Sequence, residues 1–393
     1  MRIAFVVQRY GLEINGGAEL HCRWVAEHLK KYAEVEVLTT KAADYITWKD
    51  HYVRDEEVVN GIRVRRFPVK RARNPERFGR IQDSLLRREH TEADELRWLD
   101  EEGPRVTGLI DHLKSRPGEY DHFIFFSYRY YHSYWGIKAV PGRSILVPTA
   151  ERDPVIGLSI FRDLFRTPRA IVYNSLEEKK MINDVSGNED VPGDVVGVGT
   201  VLPGRSSGEV FRRKYNVPGP YILYLGRIDE NKGCPQLFDY FLRFKREAGS
   251  AVKLVLAGTT VMQVPSHPDI HYLGFMGDIE KFDALDGADL LVMPSFYESL
   301  SMVTLEAWAL GKPVLVNALC DVLKGQCGRS NGGLYYESYP EFREALSLLL
   351  DSPRLRSALG ENGRRYFEAN YSWDVIEGKY LALLNRLEKE RFA

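Results

Sequence analysis

The stretch Asp289-Leu-Leu-Val-Met-Pro-Ser-Phe-Tyr-Glu298-Ser-Leu-Ser-Met-Val-Thr-Leu-Glu306-Ala-Trp-Ala-Leu-Gly311-Lys-Pro-Val-Leu-Val-Asn317 decides the fold. Asp289 to Met293 is a short apolar run of the kind a buried parallel strand needs. Pro294 and Ser295 stop it, and Ser301 to Leu310 reads as a helix built on the strong formers Met302, Leu305, Glu306 and Ala307. Gly311 ends that helix, and Pro313 marks the entry to the next strand, Val314 to Asn317. This is one strand-helix-strand unit. It carries Glu298 in the strand-to-helix loop and Glu306 about a turn into the helix. In an open parallel sheet that loop lies at the carboxyl edge, where ligands bind. A solvated loop glutamate and a helix-surface glutamate are the other reading, and the neighbouring loops decide between them.

Working outward, strand Tyr221–Leu225 ends in Gly226-Arg227-Ile-Asp-Glu-Asn-Lys232-Gly233. Arginine grips phosphate bidentately and lysine acts as a point charge, so the pair suits a diphosphate. Further strands are expected at Val252–Ala257 and His271–Leu273. Helices are expected at Glu341–Leu350, Pro353–Asn370 and from Val375 to about Glu390. At the other end of the chain, strand Ile3–Val7 enters a long loop closing in Gly16-Gly17, followed by a helix from Ala18 to about Lys31 and a strand Val35–Thr39. Paired glycines before a helix let backbone N–H groups approach an anion, although such a pair is also an ordinary turn. No G-x-G-x-x-G is present, which argues against a nicotinamide or flavin enzyme.

With 393 residues the chain is long enough for two domains. The Gly/Pro/Ser-rich segment Val185–Gly219 reads as loop and as the boundary between them. Residues 1–205 and 206–373 are then two doubly wound α/β domains, and 374–393 is a helix expected to cross back to the first. Hydrophobic content of 44% and charge of 28% suit a soluble globular chain, and a formal net charge of −1 gives no steering toward nucleic acid. The four cysteines are scattered without zinc spacing. No apolar run is long enough to span a bilayer, and the first strand starts at once. A cytoplasmic protein is expected, with peripheral contact at the inner membrane face as an option.

That option rests on the basic run from Arg63 to Arg88, which carries ten arginines and lysines against only Glu76 and Asp83. It reads either as a solvated face or as a patch for anionic lipid or a phosphate-bearing acceptor. Residues 40–65 otherwise look like a strand-poor excursion, ending in Gly61-Ile-Arg-Val-Arg-Arg-Phe67, a short alternating strand. Ser127-Tyr-Arg-Tyr-Tyr-His132-Ser-Tyr-Trp135 follows strand Asp121–Phe126 as an aromatic loop, equally readable as core or as a stacking wall for a sugar. Strand Ser144–Val147 ends near Glu151 and Asp153. After strand Ala170–Asn174, Ser175 and Glu178 form a capping box.

Gly226-Arg227…Lys232-Gly233 followed by Glu298-x7-Glu306 resembles the pattern of family 4 glycosyltransferases, retaining enzymes of the GT-B fold. The Gly-Gly loop, the Gly-rich linker and Tyr371-Ser-Trp373 before the last helix extend the resemblance along the chain. It implies two Rossmann-like domains facing across a cleft, the first binding acceptor and the second binding a nucleotide-sugar donor. By resemblance Arg227 and Lys232 bind the diphosphate and Glu306 the ribose hydroxyls. Glu298, with backbone N–H groups of Ser299, Leu300 and Ser301, orients the sugar, while Gly226 admits the ligand and Gly16-Gly17 closes the pocket. The family pattern often has glycines where this chain has Ser299 and Ser301. It also often has a histidine at the end of the fourth strand, where Ser127-Tyr128 stands here, so His132 or Glu151 is expected to contact sugar or acceptor.

The implied activity is transfer of a hexose, with retention, from a UDP- or GDP-sugar to a glycan, glycolipid or small-molecule acceptor hydroxyl. No metal and no further cofactor are expected, because no Asp-x-Asp motif is placed to hold one. The alternatives are a nucleotide-sugar epimerase or hydrolase, or a non-catalytic nucleotide-sugar-binding protein.

Overall fold

The computed structural model describes residues 1–392, with the side chains of 1–390. The chain forms two compact units, Met1–Val198 together with the chain from Ile376 onward, and Gly199–Val375.

The first unit is built on eight strands: β1 (Arg2–Val6), β2 (Glu34–Thr40), β3 (Glu56–Val59), β4 (Ile62–Phe67), β5 (His122–Phe126), β6 (Ser144–Val147), β7 (Ala170–Tyr173) and β8 (Gly193–Val195). Their order in the sheet is β3-β4-β2-β1-β5-β6-β7-β8. All neighbours pair parallel except β3 with β4. The chain starts in mid-sheet, winds outward through β2 and β4, and then returns to β5 on the other side of β1. The order therefore reverses between β1 and β5, and the loops after these two strands lie at the position where such sheets bind ligands. Helices on the sheet faces bury an aromatic core that includes Trp98, Phe123, Phe125, Tyr134, Phe161 and Phe165.

Three expectations in this unit are corrected. The strand expected at Gly61–Phe67 forms as β4, but it has an unforeseen partner, β3, in a β-hairpin turned at Asn60-Gly61 with φ of 48° and 78°. That is an Asn-Gly turn between short strands, and the turn was the available signal. The basic run is not a loose face: Pro75–Arg87 is a helix, with Pro75 in its first turn and the Asn74 side chain accepting from the Arg77 N–H. The aromatic segment is a loop only to Tyr130; Tyr131–Ala139 is a helix, and Tyr128, Tyr131 and Tyr134 are core. Burial of three large rings outweighs the poor helix propensity of the segment.

The second unit carries β9 (Tyr221–Leu225), β10 (Lys253–Ala257), β11 (Ile270–Tyr272), β12 (Leu290–Met293), β13 (Val314–Asn317) and β14 (Gly333–Tyr336). The order is β11-β10-β9-β12-β13-β14, all parallel. This sheet also starts in its middle, and its order reverses between β9 and β12. The unit read from Asp289 to Asn317 forms as expected, with helix Met302–Ala309 and Gly311 at φ 67°. Strand β14 and helix Asp321–Ser330 were not foreseen. The Gly-rich linker contains strand β8 and a helix Gly208–Tyr215 capped by Ser207, elements too short to show a period in the sequence.

The last helix, Trp373–Phe392, buries Ile376, Tyr380, Leu383, Leu384 and Leu387. Glu377 near its start accepts from Lys31 Nζ at 2.6 Å and the Tyr32 hydroxyl at 2.6 Å, and lies 2.5 Å from His28 Nδ1. No helix among the described residues is long and apolar enough to cross a membrane.

Candidate active site

The second unit brings four of the expected residues to the place where its strand order reverses. Strand β9 runs into Gly226 and Arg227, and β12 into the loop holding Glu298. The buried Asp229 organises the first loop, accepting from Arg227 Nε and from the Lys232 backbone N–H, the latter at 2.8 Å. Lys232 Nζ reaches across to Glu298 Oε1 at 2.9 Å and to the Tyr297 carbonyl at 3.3 Å. Cation and carboxylate thus meet from adjacent strand-to-helix loops. The Arg227 side chain remains 41% exposed and that of Lys232 26%, so both can meet an incoming anion.

The loops approach backbone to backbone. Gly258, at φ 143°, would put a Cβ 1.9 Å from the Gly226 carbonyl oxygen, and a Cβ on Gly233 would lie 2.0 Å from the Pro294 oxygen. Neither position accommodates a larger residue without moving main chain.

Glu306 is nearly fully buried, one turn into helix Met302–Ala309, and Lys281 Nζ donates to its Oε1 at 2.6 Å. Its Oε2 is enclosed without a partner. Burial pushes the Glu306 carboxyl above the usual carboxylate range, and Lys281 opposes that. Burial works against the Lys281 ammonium in turn, but Glu306 beside it lifts its pKa above the ordinary lysine value. At the start of the same helix Ser301 sits at φ 65° and its hydroxyl is 2.8 Å from that of Thr304. No side chain caps the first turn, so its positive end offers N–H groups to a ligand. Ser299 is half-buried and Leu300 buried beside it.

In the first unit, Gly16 precedes helix Gly17–Leu29. The positive end of that helix already holds a carboxylate: Glu19 is buried and accepts from Arg9 Nε at 2.8 Å. A Cβ on Gly16 would lie 2.2 Å from Glu19 Oε2. An anion arriving at Gly16-Gly17 therefore meets a charged pair, not bare amides. His132 is fully buried, with Nε2 3.1 Å from the Phe126 carbonyl, and burial holds its pKa down to about 4. Helix formation from Tyr131 turns this ring inward, and the contact with sugar or acceptor expected of His132 is not offered by this geometry. Glu151 is half-buried at the end of β6. The loop before it is held by Glu178, which accepts the N–H groups of Ala150 and Asn174, each at 2.5 Å. Glu178 therefore joins two strand ends, where the sequence suggested a simple capping box with Ser175.

Asp229, Lys281 and Glu19 were missed in the sequence, and Glu178 was read only as part of a cap. Asp229 lay inside the quoted loop, two residues after Arg227, and could have been read as its partner. Lys281 stands on a separate helix, Asp278–Gly287, and no spacing ties it to Glu306. Among the described residues no group of three or more His, Cys, Asp or Glu is arranged to hold a metal ion.

Residues 209–366 match the family model described as "Glycosyl transferases group 1", and this range contains Arg227, Lys232, Glu298 and Glu306. The resemblance read from those residues is borne out over that range. Among curated proteins the chain is similar to the N,N'-diacetylbacillosaminyl-diphospho-undecaprenol alpha-1,3-N-acetylgalactosaminyltransferase of Campylobacter jejuni. The two are 27% identical over 191 residues, 46% of this chain and 49% of that protein. The chain spans about half the length or less of the first curated relatives it matches. Among solved structures it resembles sucrose-phosphate synthase from Thermosynechococcus elongatus, with a TM-score of 0.72 at 19% identity over 99% of both chains. Anabaena Alr3699/HepE, solved in complex with UDP, gives 0.72 at 15% identity over 98% of this chain and 100% of that one. The fold is GT-B, an α/β fold with two parallel sheets.

Proposed function

We propose that this chain is a retaining glycosyltransferase that moves a hexose from a nucleoside-diphosphate sugar to an acceptor hydroxyl. The second unit binds the donor and the first binds the acceptor. The observation that carries the reading is the meeting of Lys232 and Glu298 at 2.9 Å, beside Arg227, at the reversal of strand order. The match of residues 209–366 to the glycosyltransferase model supports it.

Arg227, Lys232 and the uncapped start of helix Met302–Ala309 hold the diphosphate and stabilise the charge that grows on it as the sugar leaves. Glu298 accepts from hydroxyls of the transferred sugar, so the ammonium it now holds is shared with phosphate once donor is bound. The unpartnered Oε2 of Glu306 suits a ribose hydroxyl donor, while Lys281 holds Oε1. The departing phosphate itself takes the proton of an acceptor hydroxyl attacking from the same face. No protein base or metal ion is required by this scheme. The bound UDP of the Anabaena neighbour favours uridine as the base, and glycans, glycolipids and small glycosides are the acceptor classes to screen.

The test is release of nucleoside diphosphate from UDP-sugars with and without candidate acceptors, and the anomeric configuration of the product by NMR. Acceptor-dependent release with an α-anomer from an α-donor is expected, and it should survive EDTA. Release that ignores acceptor would replace this reading with hydrolysis, and a β-product would remove retention.

A further inference from the structure

Between helices Pro75–Arg87 and Glu92–Glu102 lies a cavity of about 480 Å³ lined by Arg77, Arg80, Arg88 and Arg97. The basic run that leads to it is mostly neutralised. Arg63 and Arg65 pair with Glu36 and Glu56, Arg66 with Glu57, Arg71 with Glu101, and Arg73 with Glu102. Arg77 reaches Glu101 at 2.9 Å. Arg80, Arg88 and Arg97, by contrast, have no ion-pair partner at contact distance among the described residues and are exposed. Lys70 and Arg87 of the run also lack an ion pair among the described residues but lie outside the concavity, which gathers Arg80 and Arg88 together with Arg97 from the following helix.

Two carboxylates, Glu89 and Asp94, line the cavity with four arginines, and the Thr91 hydrogen bonds, with a smaller contribution from the Arg97 guanidinium, hold the Asp94 carboxyl below its usual value. Asp94 is engaged in a capping box, accepting from the Thr91 N–H at 3.0 Å and its hydroxyl at 2.8 Å. Glu89 lines the same cavity. His90 is fixed between the Arg88 carbonyl at 3.1 Å and Glu95 Oε1 at 3.1 Å, and Ser84 adds a hydroxyl donor to the lining. A concave site with several fork-shaped donors, net positive and open to solvent, has the chemistry of phosphate recognition.

We propose that this cavity binds the phosphate or pyrophosphate group of a phosphorylated acceptor. The assignment rests on the reading of the first unit as the acceptor side. It gives the acceptor a chemical class that the donor site does not specify: a sugar or polyol phosphate, or a lipid carrier whose headgroup presents the same anion.

The experiment uses the full chain and inorganic pyrophosphate followed by calorimetry at low ionic strength. Arg227→Ala/Lys232→Ala first silences the second-unit anion site. In that background pyrophosphate should still bind, and adding Arg80→Ala, Arg88→Ala and Arg97→Ala should weaken binding at least about tenfold. All three side chains are exposed, and an unchanged circular-dichroism melt verifies the fold. Sedimentation with phosphatidylglycerol vesicles, against phosphatidylcholine vesicles, separates the sources. Loss of both pyrophosphate and vesicle binding in the quintuple variant, relative to the double one, identifies a lipid-borne phosphate, and loss of pyrophosphate binding alone identifies a soluble one. If pyrophosphate binds the quintuple variant as well as the double one, the cavity is no site, whatever the vesicles do. UDP binding to the wild-type chain tests the donor reading separately, and its failure would leave the pyrophosphate result standing.

Discussion

Lys232 is held by a carboxylate on one side and by solvent on the other, so replacing it removes charge without opening the core. Lys232→Ala should lower turnover by a factor on the order of 10²–10³, the usual effect of losing one donor to a developing anion. The melting temperature should stay near that of the wild type. A variant with near-full activity in a steady-state assay would remove Lys232 from the site. Lys281 presents a different case, because its partner is buried. Lys281→Ala leaves Glu306 enclosed without its cation, which should destabilise the chain by about 1–3 kcal/mol and weaken nucleoside-diphosphate binding. Pairing it with Glu306→Gln should recover much of the stability but not the binding. A denaturant series and calorimetry on both variants and the double would show this, and additive losses in stability would deny the coupling. At this scale Arg227, Lys232, Glu298 and Glu306 were legible because strand ends and helix starts have local signatures. Lys281 was not, because its relation to Glu306 exists only after two helices pack.

At the scale of elements, two carboxylates make opposite demands on pH. Glu377, on the last helix, is lowered from 4.5 to about 2: burial raises it, but the hydrogen bonds of Lys31, Tyr32 and His28 outweigh that. Its stabilisation is complete above pH 4.5 and is lost as pH falls from there toward 2. Burial also lowers the His28 pKa, and since a neutral ring is the form the fold accepts, His28 adds to the loss in acid. Glu178 behaves in the reverse sense. Burial raises it from 4.5 to about 8, against the N–H groups of Asn174 and Ala150 that lower it. Its contribution is fully present below pH 4.5 and declines as pH rises toward 8. Melting temperatures across pH 3–9 should therefore lose their acid-side fall in Glu377→Gln and their alkaline-side fall in Glu178→Gln. Parallel curves for wild type and variants would contradict both assignments. Strand β12, its helix and β13 were readable because an apolar run, a glycine cap and a proline all agree. Strand β4 was readable from its alternation, whereas its partner β3 and the helix at Pro75 were hidden beneath a charge pattern that dominates the local composition.

For the whole molecule, the chain from Ile376 onward belongs with the first unit, far from it in sequence. A chain ending at Val375 would lose five buried apolar side chains from that unit, each worth about 1.5–3 kcal/mol. It would also lose the Glu377 contacts. Such a truncation should cost the first unit its cooperative melting transition while the second retains its own, and calorimetry with limited proteolysis would detect this. Two intact transitions would make the last helix dispensable. The sequence by itself determined the alternation of strands and helices, the break near residue 200, and the cation and glutamate motifs at strand ends, since these follow from periodicity and capping within a few residues. Only the tertiary structure decided that the His132 ring is buried against the Phe126 strand end, that Glu306 is held by Lys281, and that most of a basic run is paired while Arg80 and Arg88 meet Arg97 at one cavity. Each of those depends on which distant side chains the sheet topology brings within a few ångströms, and the energy of a buried charge is set by that company.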